Sequence, residues 1–293
     1  MAKQAGFFQR GLNITTHIKT MNYRTLGRTG LSVSEIGYGG GRVRPGQDID
    51  EIKSVLSHAI DAGINFFDTA PTYGGGLSEE LIGQVIAGRR ESIVLASKTK
   101  PRDPTGIVDC VEGSLRRLGV ETIDILQFHG GWIPSEDADE ILDQGGIETY
   151  LKLKEEGKIR FLAFSADGPG DGITRLIRTG QFDAIQCHYN LFYQAMYDGF
   201  YAEGIMAEAE KKEMGIFTMR STTSSAFPNL MKQCFPEFAA TNDLESFLLN
   251  YTLSNPLVDS ALMSLQSFAA VDTCARVSDD EESRLDIRAV HGR

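Results

Sequence analysis

The chain has 293 residues, of which 41% are hydrophobic and 24% are charged. This composition is ordinary for a globular protein, and by itself it allows either two small domains or one large one. The 40 acidic and 29 basic side chains give a formal charge of −11. Because that charge repels phosphate backbones and anionic lipids, we expect neither nucleic acid nor a membrane as a partner.

The cysteines and apolar segments indicate the cellular compartment. The four cysteines form no CxxC pair and do not cluster with the five histidines at metal-ligand spacing; they are Cys110, Cys187, Cys234 and Cys274. We interpret them as buried free thiols in a reducing cytoplasm and expect no metal site. No stretch approaches the ~20 apolar residues of a transmembrane helix, and the first 20 residues lack the apolar core of a secretory signal.

The first predicted elements are two short strands between Tyr23 and Ser34, joined by a turn that contains glycine. We interpret this segment as a β-hairpin that plugs the floor of the fold.

After the hairpin, short apolar runs alternate with segments of helical periodicity, which is the pattern of βα units and a parallel sheet. Eight runs are predicted strands: Val33–Tyr38, Asn65–Ala70, Ile93–Lys98, Ile123–His129, Ile159–Ser165, Ala184–Tyr189, Gly215–Met219 and Asp259–Ser264. Crossover helices are predicted at Asp50–Ala62, Glu148–Glu156 and Glu203–Glu213, where apolar residues recur at three- and four-residue steps.

Eight βα units over about 270 residues predict a (β/α)8 TIM barrel, whose usual size is roughly 250 residues. A doubly wound dinucleotide-binding fold would need GxGxxG after its first strand, and the segment Gly37–Arg42 fails that spacing. No Pro- or Ser-rich linker divides the chain. We therefore expect residues 21–293 to form a single domain and residues 1–20 to be a disordered leader.

Polar side chains stand at successive predicted strand ends, where the active sites of TIM barrels form. Asp68 belongs to the end of the second run, Tyr73 follows in the next loop, and Lys98 and His129 end the third and fourth runs. Each alone has a simple structural explanation, as a solvated charge, a turn residue or a buried histidine. Together the four predict a proton-donating site for a carbonyl group.

Each of the four residues has an expected role in that chemistry. A neighbouring ammonium favours the phenolate, so Lys98 is expected to lower the pKa of Tyr73 from its usual value near ~10. Asp68 would hold the ammonium by a charge-assisted hydrogen bond. His129 would donate a hydrogen bond to the substrate oxygen, which Tyr73 then protonates.

The segments around these residues resemble the aldo-keto reductase superfamily, and the resemblance runs from Tyr23 to about Val277. Its motifs are Asn65–Gly74, Ser97–Thr99, Leu115–Leu126 and Gln127–Gly130. The resemblance implies a catalytic tetrad of Asp68, Tyr73, Lys98 and His129. It also implies hydride transfer from NADPH to an aldehyde or ketone, with the proton supplied by Tyr73.

The same resemblance implies a set of cofactor contacts. Ser165 and Gln186, at the fifth and sixth strand ends, would hydrogen-bond the nicotinamide carboxamide. Met219 stands where many members stack an aromatic ring, and Arg220 would reach the pyrophosphate. Further contacts are predicted at Gly39, Gly40, Asp68, Ser264 and Gln266. After the eighth strand no basic residue precedes Arg276, so NADP is expected on the family's precedent and NAD stays open.

The substrate is expected to be a small-molecule carbonyl compound bound by Tyr73, His129 and Trp132. Trp132 is the only tryptophan, and packing of its own loop is an equal alternative. Because the chain ends soon after Val290, we expect a short C-terminal loop, an open site and broad carbonyl acceptance. The main alternative function is a nucleotide-binding regulatory subunit, comparable to the aldo-keto-reductase-like β subunits of potassium channels. A barrel that has lost nucleotide binding is the second alternative, and the sequence leaves the oligomeric state open.

Overall fold

The computed structural model describes residues 21–199 and 201–292. The strands are β1 (Tyr23–Thr25), β2 (Ser32–Ser34), β3 (Ile36–Gly39), β4 (Phe66–Asp68), β5 (Val94–Thr99), β6 (Ile123–Phe128), β7 (Ile159–Ala166), β8 (Ala184–His188), β9 (Gly215–Met219) and β10 (Ser260–Met263). The helices are α1 (Ile49–Asp61), α2 (Leu77–Ile86), α3 (Pro104–Leu118), α4 (Ser135–Asp143), α5 (Gly146–Glu155), α6 (Asp171–Thr179), α7 (Ile205–Glu210), α8 (Ala226–Cys234), α9 (Pro236–Thr241), α10 (Leu244–Leu253), α11 (Phe268–Asp279) and α12 (Ile287–Gly292).

The eight strands from β3 to β10 pair in parallel and close into a barrel, in which β10 lies between β9 and β3. Each of the eight runs predicted from apolar patterning overlaps a strand of this barrel, and helices lie between these strands along the chain. The predicted (β/α)8 fold is therefore confirmed. Parallel closure brings the carboxyl ends of all eight strands to one mouth, so the side chains at those ends share one site.

The helix boundaries follow local sequence signals. The Asp48 side chain accepts hydrogen bonds from the backbone N–H groups of Asp50 and Glu51, which begins α1 one residue before the predicted start. Asp103 caps α3 in the same way, Pro104 follows as its first residue, and Gly119 ends it in the left-handed conformation with φ 64°. The third predicted helix, Glu203–Glu213, is shorter than expected and spans Ile205–Glu210.

The N-terminal hairpin is also confirmed, since β1 and β2 pair antiparallel. Leu26 and Val33 of this hairpin are fully buried against side chains inside the barrel, among them Phe66 and Phe217. Gly27 has φ 42°, and a Cβ there would lie 2.2 Å from the backbone nitrogen of Gly215. The hairpin therefore closes the barrel floor in close backbone contact with the amino end of β9.

One strand boundary was wrong. The predicted first barrel strand, Val33–Tyr38, contains the end of β2 and the start of β3. Glu35 separates them, and its buried carboxylate accepts hydrogen bonds from Arg24 and Arg284. Both strands are short, with three residues in β2 and four in β3, so periodicity alone could not separate them.

The remaining expectations concern the N-terminal leader, membrane-spanning helices and the cysteines. Residues 1–20, the predicted leader, lie outside the described residues. Among residues 21–199 and 201–292, no helix combines the length and the apolar character that crossing a membrane requires. The four cysteines are free: Cys187 and Cys274 are buried as predicted, whereas Cys110 is partly buried and Cys234 is exposed.

Candidate active site

A buried ion pair lies at the mouth of the barrel. Asp68 ends β4, and Lys98 lies near the end of the adjacent strand β5. The Lys98 Nζ lies 2.6 Å from each carboxylate oxygen of Asp68 and 2.9 Å from the carbonyl oxygen of Thr69. Burial lowers the pKa of Lys98, but Asp68 and Tyr73 together outweigh burial and raise this pKa above its ordinary value. The ammonium therefore stays charged although only 1% of Lys98 is exposed.

Tyr73 faces this ammonium from the loop after β4. It begins a 3-10 turn in which Gly74, Gly75 and Gly76 adopt positive φ of 62°, 69° and 101°. The Lys98 Nζ lies 5.0 Å from the centroid of the Tyr73 ring. Burial raises the pKa of Tyr73 and Lys98 lowers it, with a net shift upward. The expected net lowering is thus wrong here, because burial and the charge of Asp68 outweigh the ammonium.

His129 completes the group at the end of β6. Its ring stands edge-on to Tyr73, with the ring centroids 5.8 Å apart. Its backbone N–H donates to the carbonyl of Thr99 at 2.7 Å. Burial and the positive charges of Lys98, Arg102 and Lys100 lower the pKa of His129 to about 3. The imidazole is therefore neutral at physiological pH and presents one N–H donor.

Two glutamines complete the environment of Asp68. Gln127 Nε2 donates to Oδ1 at 2.7 Å, and Gln186 Nε2 donates to Oδ2 at 3.3 Å. The sequence analysis assigned no role to Gln127, although its spacing from His129 could have indicated one. It precedes His129 by two residues, so strand alternation directs both side chains to the same face.

A buried arginine joins the ends of β5 and β6. Arg102 donates to the carbonyl oxygens of Thr99 at 3.3 Å, Lys100 at 3.1 Å and His129 at 2.9 Å. The strand ends that carry Lys98 and His129 are therefore held together by one guanidinium. No motif pointed to Arg102, because its three acceptors meet only when the barrel closes.

A cleft of about 380 Å³ opens above these residues. Tyr73, Lys98, His129 and Asp68 line it together with six of the other predicted cofactor contacts: Gly39, Ser165, Gln186, Met219, Arg220 and Ser264. Sequence reasoning missed further lining residues, namely Gly41, Arg42, Gly130, Asp167, Ser221, Thr222, Ser224, Ser225, Glu245, Leu262 and Met263.

Three predicted contact residues are not among the lining residues. Gly40 is buried where a Cβ would lie 2.3 Å from the Ser78 hydroxyl. Gln266 lines a neighbouring cavity of about 360 Å³ between α1 and the end of β10. Trp132 is 65% exposed, and its ring lies against Gly168, where a Cβ would be 2.6 Å from it.

The cleft contains one buried acceptor suited to a nicotinamide carboxamide. Gln186 Oε1 is buried and has no hydrogen-bond partner within the described part of the chain. An unpaired buried acceptor costs free energy that an amide N–H from a ligand would recover. Ser165 differs, because its hydroxyl already accepts from the Gly130 N–H at 3.0 Å and donates to the Gly130 carbonyl at 3.2 Å. These residues therefore fit a nicotinamide group, with Gln186 as the open position.

The loop after β9 forms one wall of the cleft. Arg220, Thr223, Ser224 and Ser225 have positive φ between 52° and 69°. Left-handed backbone at such residues costs free energy, and it collects at ligand sites. Arg42 crosses from the loop after β3 and donates to the Ser224 carbonyl at 3.2 Å. Across residues 21–199 and 201–292, no group of three or more His, Cys, Asp or Glu side chains could hold a metal ion.

The comparisons with known proteins agree with this architecture. The model of the aldo/keto reductase family matches residues 35–277, and the chain belongs to this family. The uncharacterized oxidoreductase YqkF of Bacillus subtilis is 35% identical over 184 residues, which are 59% of this chain and 57% of that protein. The aldo-keto reductase YhdN of the same organism is likewise matched over only 56% of its length. The chain thus spans little more than half of these two relatives.

Other similar proteins have different names. L-galactose dehydrogenase of Arabidopsis thaliana is 28% identical over 311 residues, covering 91% of this chain and 93% of that protein. A probable voltage-gated potassium channel subunit beta of Oryza sativa is 37% identical over 122 residues, 37% of each chain. The crystal structure of an aldo/keto reductase from Klebsiella pneumoniae in complex with NADP and acetate has a TM-score of 0.74 at 23% identity, covering 87% of this chain and 89% of that one. At this identity the structural match shows the fold alone.

Proposed function

We propose that the protein is an NAD(P)H-dependent oxidoreductase that reduces aldehyde or ketone carbonyls to alcohols, with Tyr73 as the proton donor. The observation that carries this proposal is the buried Lys98–Asp68 pair beside the Tyr73 phenol and the neutral His129, all facing one cleft. A bound nicotinamide cofactor would supply the hydride. The NADP bound in the Klebsiella structure supports a nicotinamide dinucleotide in this family's barrel.

The proton-transfer chemistry follows from the charges of the four side chains. His129 donates a hydrogen bond to the carbonyl oxygen and orients it toward Tyr73. As negative charge develops on that oxygen, the proton leaves the Tyr73 hydroxyl oxygen for it. The Lys98 ammonium then stabilises the phenolate that remains. Asp68 keeps the ammonium charged and aimed, so its role is to position Lys98.

The cofactor-holding residues are proposed from the same cleft. Gln186 Oε1 accepts from the nicotinamide carboxamide, and Ser165 lies on the adjacent strand. Met219 offers a polarizable sulfur to the ring, and Arg220 offers a guanidinium to the phosphates. Gly39 and Ser264 lie on the neighbouring strand ends of β3 and β10. The identity of the nucleotide, NADPH by family precedent or NADH, depends on the adenosine end of the cleft.

The first test combines binding with turnover. Purified protein is titrated with NADPH and with NADH by nicotinamide fluorescence, and aldehydes are then added to the tighter complex. Tyr73→Phe removes only the hydroxyl, so nucleotide affinity should stay within about threefold while turnover falls about 100-fold or more. Tyr23→Phe is the matched control, because Tyr23 is an exposed tyrosine on the floor hairpin and should leave both quantities unchanged.

The regulatory reading remains the second candidate, and the potassium channel subunit among the relatives favours it. A regulatory subunit would bind nucleotide and show negligible turnover across the aldehyde panel. Binding followed by Tyr73-dependent oxidation supports the reductase. Failure to bind either nucleotide would contradict both readings.

A further inference from the structure

The cleft is also lined by one acidic side chain that takes no part in the catalytic group. Besides the catalytic residues, its lining includes Arg42, several hydroxyl-bearing residues and this carboxylate, namely Ser221, Thr222, Ser224, Ser225, Ser264 and Glu245. Glu245 lies in the first turn of α10 and is exposed. Among the residues that the structure describes, its carboxylate has no hydrogen-bond or ion-pair partner. This carboxylate is therefore available to a ligand in the cleft.

The positive charges of the cleft lie elsewhere or are engaged. Lys98 is paired with Asp68 inside the barrel, and Arg220 Nη2 lies 3.8 Å from Asp167 at the catalytic end. Arg42 lines both this cleft and the neighbouring cavity beside α1, and its Nη2 donates to the Ser224 carbonyl at 3.2 Å.

The remaining basic residue near this end is Arg276 on α11. Its guanidinium lies 2.9 Å from Asp243 and 3.3 Å from the Ser246 hydroxyl, and it does not line the cleft. Asp243 precedes Glu245 by two residues, so the local carboxylates outnumber the one guanidinium beside them. A second negative charge at this end would lack a free partner on α10 or α11.

Tyr73 and Gln186 fix the place of the nicotinamide, and so determine which other part of a dinucleotide could reach Glu245. The nicotinamide must lie beside Tyr73 and His129 for hydride and proton to reach the same carbonyl. The rest of a bound dinucleotide would have to follow the remaining length of the cleft, whose lining includes Glu245 of α10. There a carboxylate accepts a hydrogen bond from a ribose 2′-hydroxyl, whereas a 2′-phosphate calls for an arginine.

We propose that Glu245 sets the nucleotide preference of this protein toward NADH and against NADPH. The inference rests on the proposed function, because it assumes that the cleft holds a nicotinamide dinucleotide. It departs from the NADP expectation that family resemblance implies. The proposed preference for NADH arises from the unpaired carboxylate of Glu245 at the adenosine end and from the ion pair that Arg276 forms with Asp243.

Direct binding tests the proposal without turnover. Dissociation constants for NADH and NADPH are measured by fluorescence titration at fixed, moderate salt, and wild type should bind NADH at least about tenfold more tightly. Glu245→Gln should raise NADPH affinity about tenfold and weaken NADH severalfold, because repulsion and the ribose acceptor are both reduced. Glu237→Gln on α9 is the matched control, since Glu237 is exposed and outside the cleft, and it should leave the ratio unchanged.

A second measurement examines the adenosine end alone. AMP and adenosine 2′,5′-bisphosphate compete against bound NADH, and AMP should compete better in wild type but lose that advantage in Glu245→Gln. Tighter NADPH binding by wild type, or a ratio that Glu245→Gln leaves unchanged, overturns the proposal and leaves the reductase reading intact. Failure of both dinucleotides to bind would instead contradict the proposed function.

Discussion

Lys98 and His129 lie in the same buried site, and their side chains respond to burial in opposite ways. Lys98 faces the carboxylate of Asp68, so its pKa rises and the ammonium persists. The charges acting on His129 are positive, from Lys98, Arg102 and Lys100, so they reinforce burial and its pKa falls to about 3. The site therefore holds one fixed positive charge and one neutral donor, which suits an oxygen that becomes negative.

The lowered pKa of His129 predicts a defined acid sensitivity. Unfolded His129 takes up a proton below about pH 6.5, whereas the folded side chain resists until about pH 3. Stability is therefore lost as pH falls through this window, and His129→Gln removes the loss. Between pH 7 and pH 4.5 wild type should lose about 2 kcal/mol more unfolding free energy than His129→Gln, measured by urea titration.

His58→Gln serves as the control for that comparison, because His58 lies on α1 outside the cleft. Equal acid losses in wild type and His129→Gln would show that His129 titrates normally in the folded state. The proposed neutral donor would then be charged near pH 5.

At the scale of elements, the floor hairpin contributes to stability, whereas the carboxyl ends of the strands carry the active residues. The hairpin fills the amino-terminal end of the barrel through Leu26 and Val33. The active residues occupy the opposite end, at the ends of β4 and β5 and in the loops that follow β4 and β6. Changes to the hairpin should therefore alter stability while the cleft keeps its geometry.

Leu26→Ala tests that separation. Leu26 is fully buried, so truncation should lower the free energy of unfolding by about 3 kcal/mol through lost burial and a cavity. Leu31→Ala is the matched control on the same hairpin, and its partial burial predicts a smaller loss. Denaturant titration measures both, and nucleotide affinity should stay unchanged. A weakened nucleotide affinity in folded Leu26→Ala would mean that the floor also shapes the mouth.

At the scale of the whole molecule, barrel closure makes one cleft from residues far apart in sequence. Gly39 lies on β3 and Ser264 follows β10, yet these adjacent strands place both residues on the same cleft. A ligand that contacts several strand ends stabilises the closed barrel and not the unfolded chain. Binding should therefore raise the stability of the fold as a unit.

Thermal unfolding tests this coupling. At a concentration 100 times its dissociation constant, the preferred nucleotide should add about 2.7 kcal/mol of stability, or roughly 5–10 °C in Tm. Tyr73→Phe should keep that shift, because the hydroxyl acts on the substrate oxygen. A nucleotide that binds by fluorescence but leaves Tm unchanged would indicate that it binds the unfolded chain as well as the folded barrel.

Much of this protein was predictable from local sequence because each element is encoded over a short stretch. The eight barrel strands follow from apolar runs, the crossover helices from three- and four-residue periodicity, and the hairpin from two runs around a glycine turn. The polar residues Asp68, Tyr73, Lys98 and His129 stand at or just after strand ends, which barrel geometry brings to one mouth.

Only the tertiary structure decided the properties that depend on non-local neighbours. The direction of the Tyr73 pKa shift depends on burial and on Asp68 as well as on Lys98. Arg102 and Gln127 gain roles from acceptors on other strands, and Glu245 meets the cleft only because α10 packs beside it. The exposure of Trp132 likewise depends on its contact with Gly168. Such energies depend on distance and burial in three dimensions, which sequence spacing does not specify.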